Sequence, residues 1–419
     1  MRIRLTTIIL FLVSFVSVHA QLDTQHFIPP FYGREDRAED AGEDIYLIIS
    51  TPQTTPFEVT VTDGSGTELS FSPVTISRTA PASIALSTEA TASKGPGTKF
   101  LVTDAQLATV LSNEGLILSG NKAFFTGIRI DEGAQAGFLT SKGSAGFGKE
   151  FRSGHVFNTP GELGRKCHVI GFMATEDTTS VTISDFGGVD FQNVSEGSGS
   201  ISVTLNRGES YVLSAFADGP SANINDVNGT RISSDKDIVV NSGSWLAGSP
   251  GGNDAGRDIG LDQIASIEET GFEYILVKGQ GTASENVMVV AHTDGTNIFV
   301  NGSTTPANPS PLSAGEYHRL DVSNYSTNEN MYITANQPVY VYQGLNGSSS
   351  SNERQLGMNY MPPILCLGGT NVDLPDIDQL GNPVIQIIAE AGETVTVTNN
   401  SGVTTNVTSS AQAVIGNSD

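Results

Sequence analysis

The chain has 419 residues, with 45 acids against 21 lysines and arginines and a net charge of −24. That balance repels nucleic acid and anionic lipid, so neither is an expected partner. Two cysteines are too few for a disulfide-dense scaffold, and the length exceeds one ordinary core, so two or more packing units held by burial are expected.

Residues 1–20 place Arg2 and Arg4 before an apolar run and end on Val18-His19-Ala20. This is the pattern of a secretory signal peptide, and the run is shorter than the ~20 apolar residues a spanning helix needs. Its removal takes away two arginines and no acid, moving the net charge from −24 to −26. The mature chain is therefore expected to be secreted, extracellular or held at a cell surface, with no membrane span. Residues 21–43, which include GREDRAEDAGED, read as a flexible lead-in.

A strand–turn–strand pattern then recurs. Residues 167–188 read CHVIGFMATEDTTSVTISDFGG, and similar opening hairpins are expected over 45–66, 287–303 and 384–402. Recurrence at this coarse spacing marks an array of similar units. Each of the first three units is expected to end on a closing hairpin: LILSGNKAFFTGIRI, RISSDKDIVVNSG and YITANQPVYVYQG. Asn121, Asp235 and Asn336 sit where a tight turn would fall, a position these residue types favour. The repeats are drawn at about 44–130, 150–245 and 271–345, and residues 367–419 as a linker and incomplete fourth repeat. The fold class is all-β: tandem antiparallel repeats, sandwich-like units in series, with a β-propeller-like ring as the alternative. One helix is expected as an insertion from Thr103, where Gln106 completes a capping pattern and Leu107, Val110 and Leu111 share a face. Residues 131–149 and 247–264 read as long connecting loops.

Candidate chemistry is sparse. Ser233-Ser234-Asp235-Lys236 fits a serine–lysine acylation spacing, but that motif needs a helix and this one falls in a β pattern. The five histidines beyond the signal peptide lie too far apart in sequence for a zinc signature. No enzyme is expected. Asp254, Asp258 and Asp262 crowd one connection and are the candidate Ca²⁺ ligands; a solvated loop is the plainer reading, since the EF-hand order is missing. No other cofactor is implied. Cys167 and Cys366 either form a disulfide or stay as two buried thiols, and sequence cannot choose without the geometry.

Three stretches, taken in order, resemble one family: residues 174–183 (ATEDTTSVTI), 203–211 (VTLNRGESY) and 229–240 (GTRISSDKDIVV), followed by Asp262-Gln263 and Gly271-Phe272-Glu273-Tyr274. The series is similar to the N-terminal domain family of IgG-Fc-binding proteins, large mucus and cell-surface proteins with many bacterial members. In that family Asp262-Gln263 falls in an acidic linker. The resemblance covers about 44–366 and implies an extracellular recognition or adhesion module. It leaves IgG binding open, because it carries over no Fc-contacting residue. Ser242-Gly243-Ser244-Trp245 also lacks the cysteine often found after the closing hairpin. The expected function is binding of an extracellular glycan or glycoprotein without catalysis. A structural spacer within a larger surface protein is the alternative, and a hydrolase with an unrecognised site ranks third.

Overall fold

The computed structural model describes residues 21–33, 44–87, 99–132, 135–157, 166–217, 224–247, 258–279, 285–346, 355–364, 385–399, 402–408 and 411–417. The expected signal peptide, Asp254 and Cys366 lie outside these residues.

The first unit holds β1 (Asp23–Ile28), β2 (Phe31–Tyr32), β3 (Asp44–Ser50), β4 (Phe57–Asp63), β5 (Val74–Ile76), β6 (Ala82–Ser87), β7 (Leu101–Val102), β8 (Leu116–Glu132) and β9 (Gln135–Thr140). The second holds β10 (Gly148–Arg152), β11 (Cys167–Ala174), β12 (Thr179–Ser184), β13 (Ile201–Leu205), β14 (Ser210–Phe216), β15 (Arg231–Ala247) and β16 (Asp258–Ile264). The third holds β17 (Gly271–Val277), β18 (Asn286–Ala291), β19 (Ile298–Val300), β20 (Tyr317–Asp321), β21 (Asn330–Asn346) and β22 (Gln355–Met361). Apart from the short parallel β2–β7 pair, the strands of these units pair antiparallel. The expected tandem all-β architecture is what the chain adopts.

Each unit is organised by one strand of 17 residues, β8, β15 or β21. Its first half pairs with β4, β12 or β19, and its second half with β3, β11 or β18. It lies inside one sheet of seven, seven or six strands and carries different partners along its two halves. The expected closing hairpins are therefore not hairpins: the two halves do not pair with each other. The bend falls where the turn was expected. Between Ser119 and Phe124 of β8 the partner strand advances only from Gln25 to Asp23, and β15 and β21 shift alike over 233–238 and 334–339. The polar residues serve the bend. Asp235 accepts the Ser180 N–H at 2.8 Å, and Asn336 accepts the Asn297 N–H at 2.7 Å.

The opening hairpins change for the same reason. β3 and β4, like β11 and β12, do not pair with each other; both pair with the shared strand, along different halves of its length. The lead-in also changes. Over its described part it forms β1, which pairs with β8 and buries Phe27 and Ile28. The expected helix is a single 3-10 turn, Asp104–Gln106. Gln106 Oε1 does accept from the Thr103 N–H, but the Ala108 N–H turns away to the Val212 carbonyl and Ala108 takes a φ of 56°. The connections read as loops contain β9 and β16, so the units reach further than 130 and 245.

Neighbouring units share cores. All eight residues of β11 are buried, which is why the stretch is apolar without alternation. Cys167 and Val169 pack with the first unit, while Ile170, Phe172 and Ala174 fill the second unit's interior. β18 repeats the device: Val287 and Val289 face the third unit's core, and Met288 and Val290 face the second unit. Tyr340 and Tyr342 stack at 6.3 Å in the same interface.

The last strands of the three units, β9, β16 and β22, lie against one another, so the units gather about them rather than standing in a straight row. Glycine permits the approach. A Cβ on Gly137 would lie 2.7 Å from the Ile259 side chain, and one on Gly260 2.7 Å from Val156. Asp262, on β16, binds all three units. It holds Lys142 Nζ at 2.9 Å from both oxygens, and accepts the N–H of Thr140 at 3.3 Å and of Tyr360 at 3.1 Å. Gln263 accepts the Lys142 N–H at 2.7 Å and donates to the Phe27 carbonyl at 2.9 Å.

Beyond the third unit, β23 (Thr396–Thr398) pairs with β24 (Thr404–Asn406), while residues 385–390 form no strand, so the expected hairpin over 384–402 is displaced. The segment docks on the third unit: Asn328 and Asn330 donate to the Ala413 carbonyl at 2.8 and 3.0 Å. Ile385, Ile387 and Ile388 are exposed.

Removing one partner of a buried ion pair strands the other, at a cost of roughly 3–5 kcal/mol. Lys142→Met should therefore lower unfolding stability by about that amount in a chemical denaturation experiment. Asp258→Asn, on a half-buried residue of the strand that carries Asp262, should cost far less. Equal losses would show that the three-unit junction does not depend on the ion pair. Gly260→Ala should lower the melting temperature while Gly199→Ala, where a Cβ has open space, should not.

Candidate functional site

The second and third units meet along an open, polar groove. Its second-unit wall is Asp185, Gly187, Asp226 and Asn228, and its third-unit wall is Ser310, Leu312, Gly315, Glu316 and Tyr317, enclosing about 380 Å³. A second trough of about 350 Å³ continues from Asp185 over residues 186–190 and 197–199.

The walls follow from local sequence. Asp185-Phe186-Gly187-Gly188 turns the chain after β12 with positive φ at Asp185, Gly187 and Gly188. Gly187 also lets Asp226 approach, since a Cβ there would sit 2.8 Å from the Asp226 Cβ. The units touch at Gly229 (φ 85°), where a Cβ would collide with the Gly315 carbonyl at 2.0 Å.

Arg152 is buried behind the groove. One of its terminal nitrogens donates to Asp185 at 2.6 Å and to the Gly229 carbonyl at 2.9 Å, fixing the turn to the unit junction. Asn228 accepts the His155 N–H at 2.6 Å through Oδ1. It is only 2% exposed, and its Nδ2 has no acceptor among the described residues. Glu316 accepts the Ser313 N–H at 2.6 Å. The Tyr317 ring meets Phe157 edge-on at 5.9 Å; burial, then the nearby Asp226 carboxylate, pushes its hydroxyl up to about 12. Arg319 lies further along β20, over the Phe157 ring at 5.2 Å. No lysine or arginine lines either trough among the described residues.

Behind the groove lies a buried histidine pair, His155 and His168, with ring centroids 4.8 Å apart. His155 Nδ1 faces the Gly243 carbonyl at 2.7 Å and so carries its proton there; His168 Nδ1 meets Ser244 Oγ at 2.8 Å. Burial holds His155 down to about 4 and His168 well below its ordinary value. In the first unit, burial holds His26 down to about 4, between Ser141 Oγ and the Phe124 carbonyl.

Of the candidate calcium residues, Asp254 lies outside the described residues, while Asp258 and Asp262 serve strand contacts. Asp262 is fully engaged at the junction, and burial raises its carboxyl despite Lys142. Asp258 accepts the Ala136 N–H at 2.6 Å. Among the described residues no group of three or more His, Cys, Asp or Glu could hold a metal ion. Cys167 is buried opposite Phe216 and Trp245, and its candidate partner Cys366 lies outside the described residues. Ser233 donates to the Thr182 carbonyl at 3.3 Å and Lys236 to the Asp177 carbonyl, so the serine–lysine spacing supports strand contacts. The groove residues were missed because they come from three separate stretches, 185–187, 226–228 and 310–317, which only the fold brings together. The one local signal was the Asp-Phe-Gly-Gly turn.

A model of the IgGFc-binding protein family matches residues 136–419, about two thirds of the chain. The chain belongs to that family. No curated protein and no solved structure matches it. The match begins at β9, not near residue 44, yet the unit preceding it has the same bent-strand architecture. Among the described residues no helix is long and apolar enough to cross a membrane.

The histidines yield a pH dependence. His26 and His155 fall from 6.5 to about 4 on folding, so the unfolded state binds more protons between these values. Stability is fully present above pH 6.5 and declines as pH falls toward 4. Melting temperatures recorded from pH 7.5 to 4 should fall across that window. His26→Gln should flatten the decline, and an unchanged slope would remove His26 from the account.

Proposed function

We propose that the chain is an extracellular recognition module that binds a glycoprotein or glycan through the groove between its second and third units, without catalysis. The observation that carries the reading is the groove itself: an open trough where two packed units meet, with Tyr317 on one wall and Asp185 and Asp226 on the other. Ligand sites favour interfaces between packed units. Membership of the IgGFc-binding family supports a binding role with a glycoprotein-type partner. No ion at Asp258 and Asp262 is needed, since those carboxylates already serve the strand junction.

The shared cores also suit a rigid spacer, and the two readings separate by experiment. The purified chain, passed over immobilised mucin and immobilised IgG, should be retained on at least one of them. Tyr317→Ala should weaken that retention about tenfold or more, as expected for an aromatic residue central to an interface. A chain retained by neither surface favours the spacer. Retention that Tyr317→Ala leaves unchanged places the binding face elsewhere.

A further inference from the structure

Resting on the groove as the binding face, the geometry points to what enters it: an extended polypeptide segment bearing lysine or arginine, added as an antiparallel strand to the open edge of β20. β14 and β20 are equivalent strands. They follow the matching turns LNRGES (205–210) and LSAGEY (312–317). The Glu209 carbonyl accepts the Ala174 N–H at 3.0 Å, and the Glu316 carbonyl accepts the Ala291 N–H at 2.9 Å. Gly208 and Gly315 donate back to the same alanines at 2.8 and 2.9 Å. Ser210 therefore corresponds to Tyr317, and Val212 to Arg319.

The outer edge of β14 is filled. Ser210 exchanges two backbone hydrogen bonds with Leu111 of the first unit, both 2.9 Å, and the Val212 carbonyl accepts the Ala108 N–H at 2.9 Å. One unit thus lends an extended stretch to the sheet of the next, and the first six residues of β14 are all buried. The outer edge of β20 is open. Among the described residues nothing bonds the backbone of Tyr317 or Arg319 on that side, and Tyr317, His318 and Arg319 are only half-buried. The described part of the corresponding stretch in the second unit, the 3-10 turn Ile224–Val227, lies on β11 and β14 of its own unit. The open edge starts in the groove, where Glu316 and Tyr317 form part of the wall. Unpaired edges take up extended chains, with main-chain bonds supplying affinity and side chains selectivity. A polypeptide repeats its N–H and C=O groups at the spacing of Tyr317 and Arg319; a sugar chain does not. Charge selects the segment. Asp226 and Glu316 border the groove without a lysine or arginine among the described lining residues, so a basic segment is attracted and an acidic one repelled.

The test titrates the whole chain with a short peptide of alternating valine and lysine and with its valine–glutamate counterpart. The lysine peptide should bind about tenfold tighter or more, since the glutamates would face like charges. Its binding should slow amide hydrogen exchange at Tyr317 and Arg319, the two donors a new strand would occupy. Arg319→Pro removes one of these outward donors and spares the pairing with β18, so it should weaken the peptide by up to about tenfold, the worth of one good hydrogen bond. Arg319→Ala keeps the N–H and should not. Exchange on the unaltered chain decides the matter where Arg319→Pro fails to fold. Lysine-peptide binding without slower exchange at Tyr317 and Arg319 overturns strand addition, and equal binding of both peptides overturns the basic segment. Retention on mucin that released mucin oligosaccharides compete away, and the lysine peptide does not, overturns the polypeptide partner. Binding of neither peptide overturns the inference as a whole, and the groove reading then survives only if Tyr317→Ala still weakens retention on mucin or IgG.

Discussion

One carboxylate sits where three units meet. Asp262 draws a lysine from the end of the first unit, lies on the last strand of the second, and accepts a backbone N–H from the third. A buried charge with fewer partners would be costly, so these groups hold one another in place. Gln263 extends the effect by tying the same strand to β1. The groove depends on this arrangement, because its two walls belong to different units and meet only while those units keep their orientation. The buried Arg152 performs the corresponding task at the groove, neutralising Asp185 and pinning the Gly229 turn against the third unit.

Much of the architecture was legible. The recurrence of apolar strand, polar turn and alternating strand marked repeated units, and the strands lie close to where the pattern placed them. What misled was pairing. A pattern of two apolar runs around Asn121 or Asp235 suits a hairpin, yet the same pattern serves one long strand whose two halves take different partners. Period and turn chemistry do not distinguish these cases, because the choice depends on partners far along the chain. β16 escaped notice because both its faces are buried, so DIGLDQI lacks alternation; β9 (QAGFLT), whose Ala136 and Phe138 are exposed, carries a glycine where Ile259 approaches and reads weakly as a strand.

The site was far less legible. Asp262 looked like one carboxylate in an acidic loop, and nothing local marks it as buried or shows that Lys142 reaches it. Asn228 and Tyr317 are unremarkable residues of a turn and a strand. Their significance rests on Gly229 and Gly315 touching, a long-range contact. The serine–lysine spacing shows the opposite case, in which a local pattern suggests chemistry and the strand geometry gives both side chains backbone carbonyls to serve.

The double-sided burial of β11 and β18 has a consequence for how the molecule carries load. Because each buries one face in its own unit's core and the other against the preceding unit, the boundaries between units are not hinges. Residues 141–147 and 265–270 are short connections flanked by shared cores, so the chain cannot extend like beads on a string. Tension applied at its two ends would have to shear sheet against sheet before any slack appeared. A fragment cut between the second and third units would expose Met288, Val290, Tyr340 and Tyr342 together.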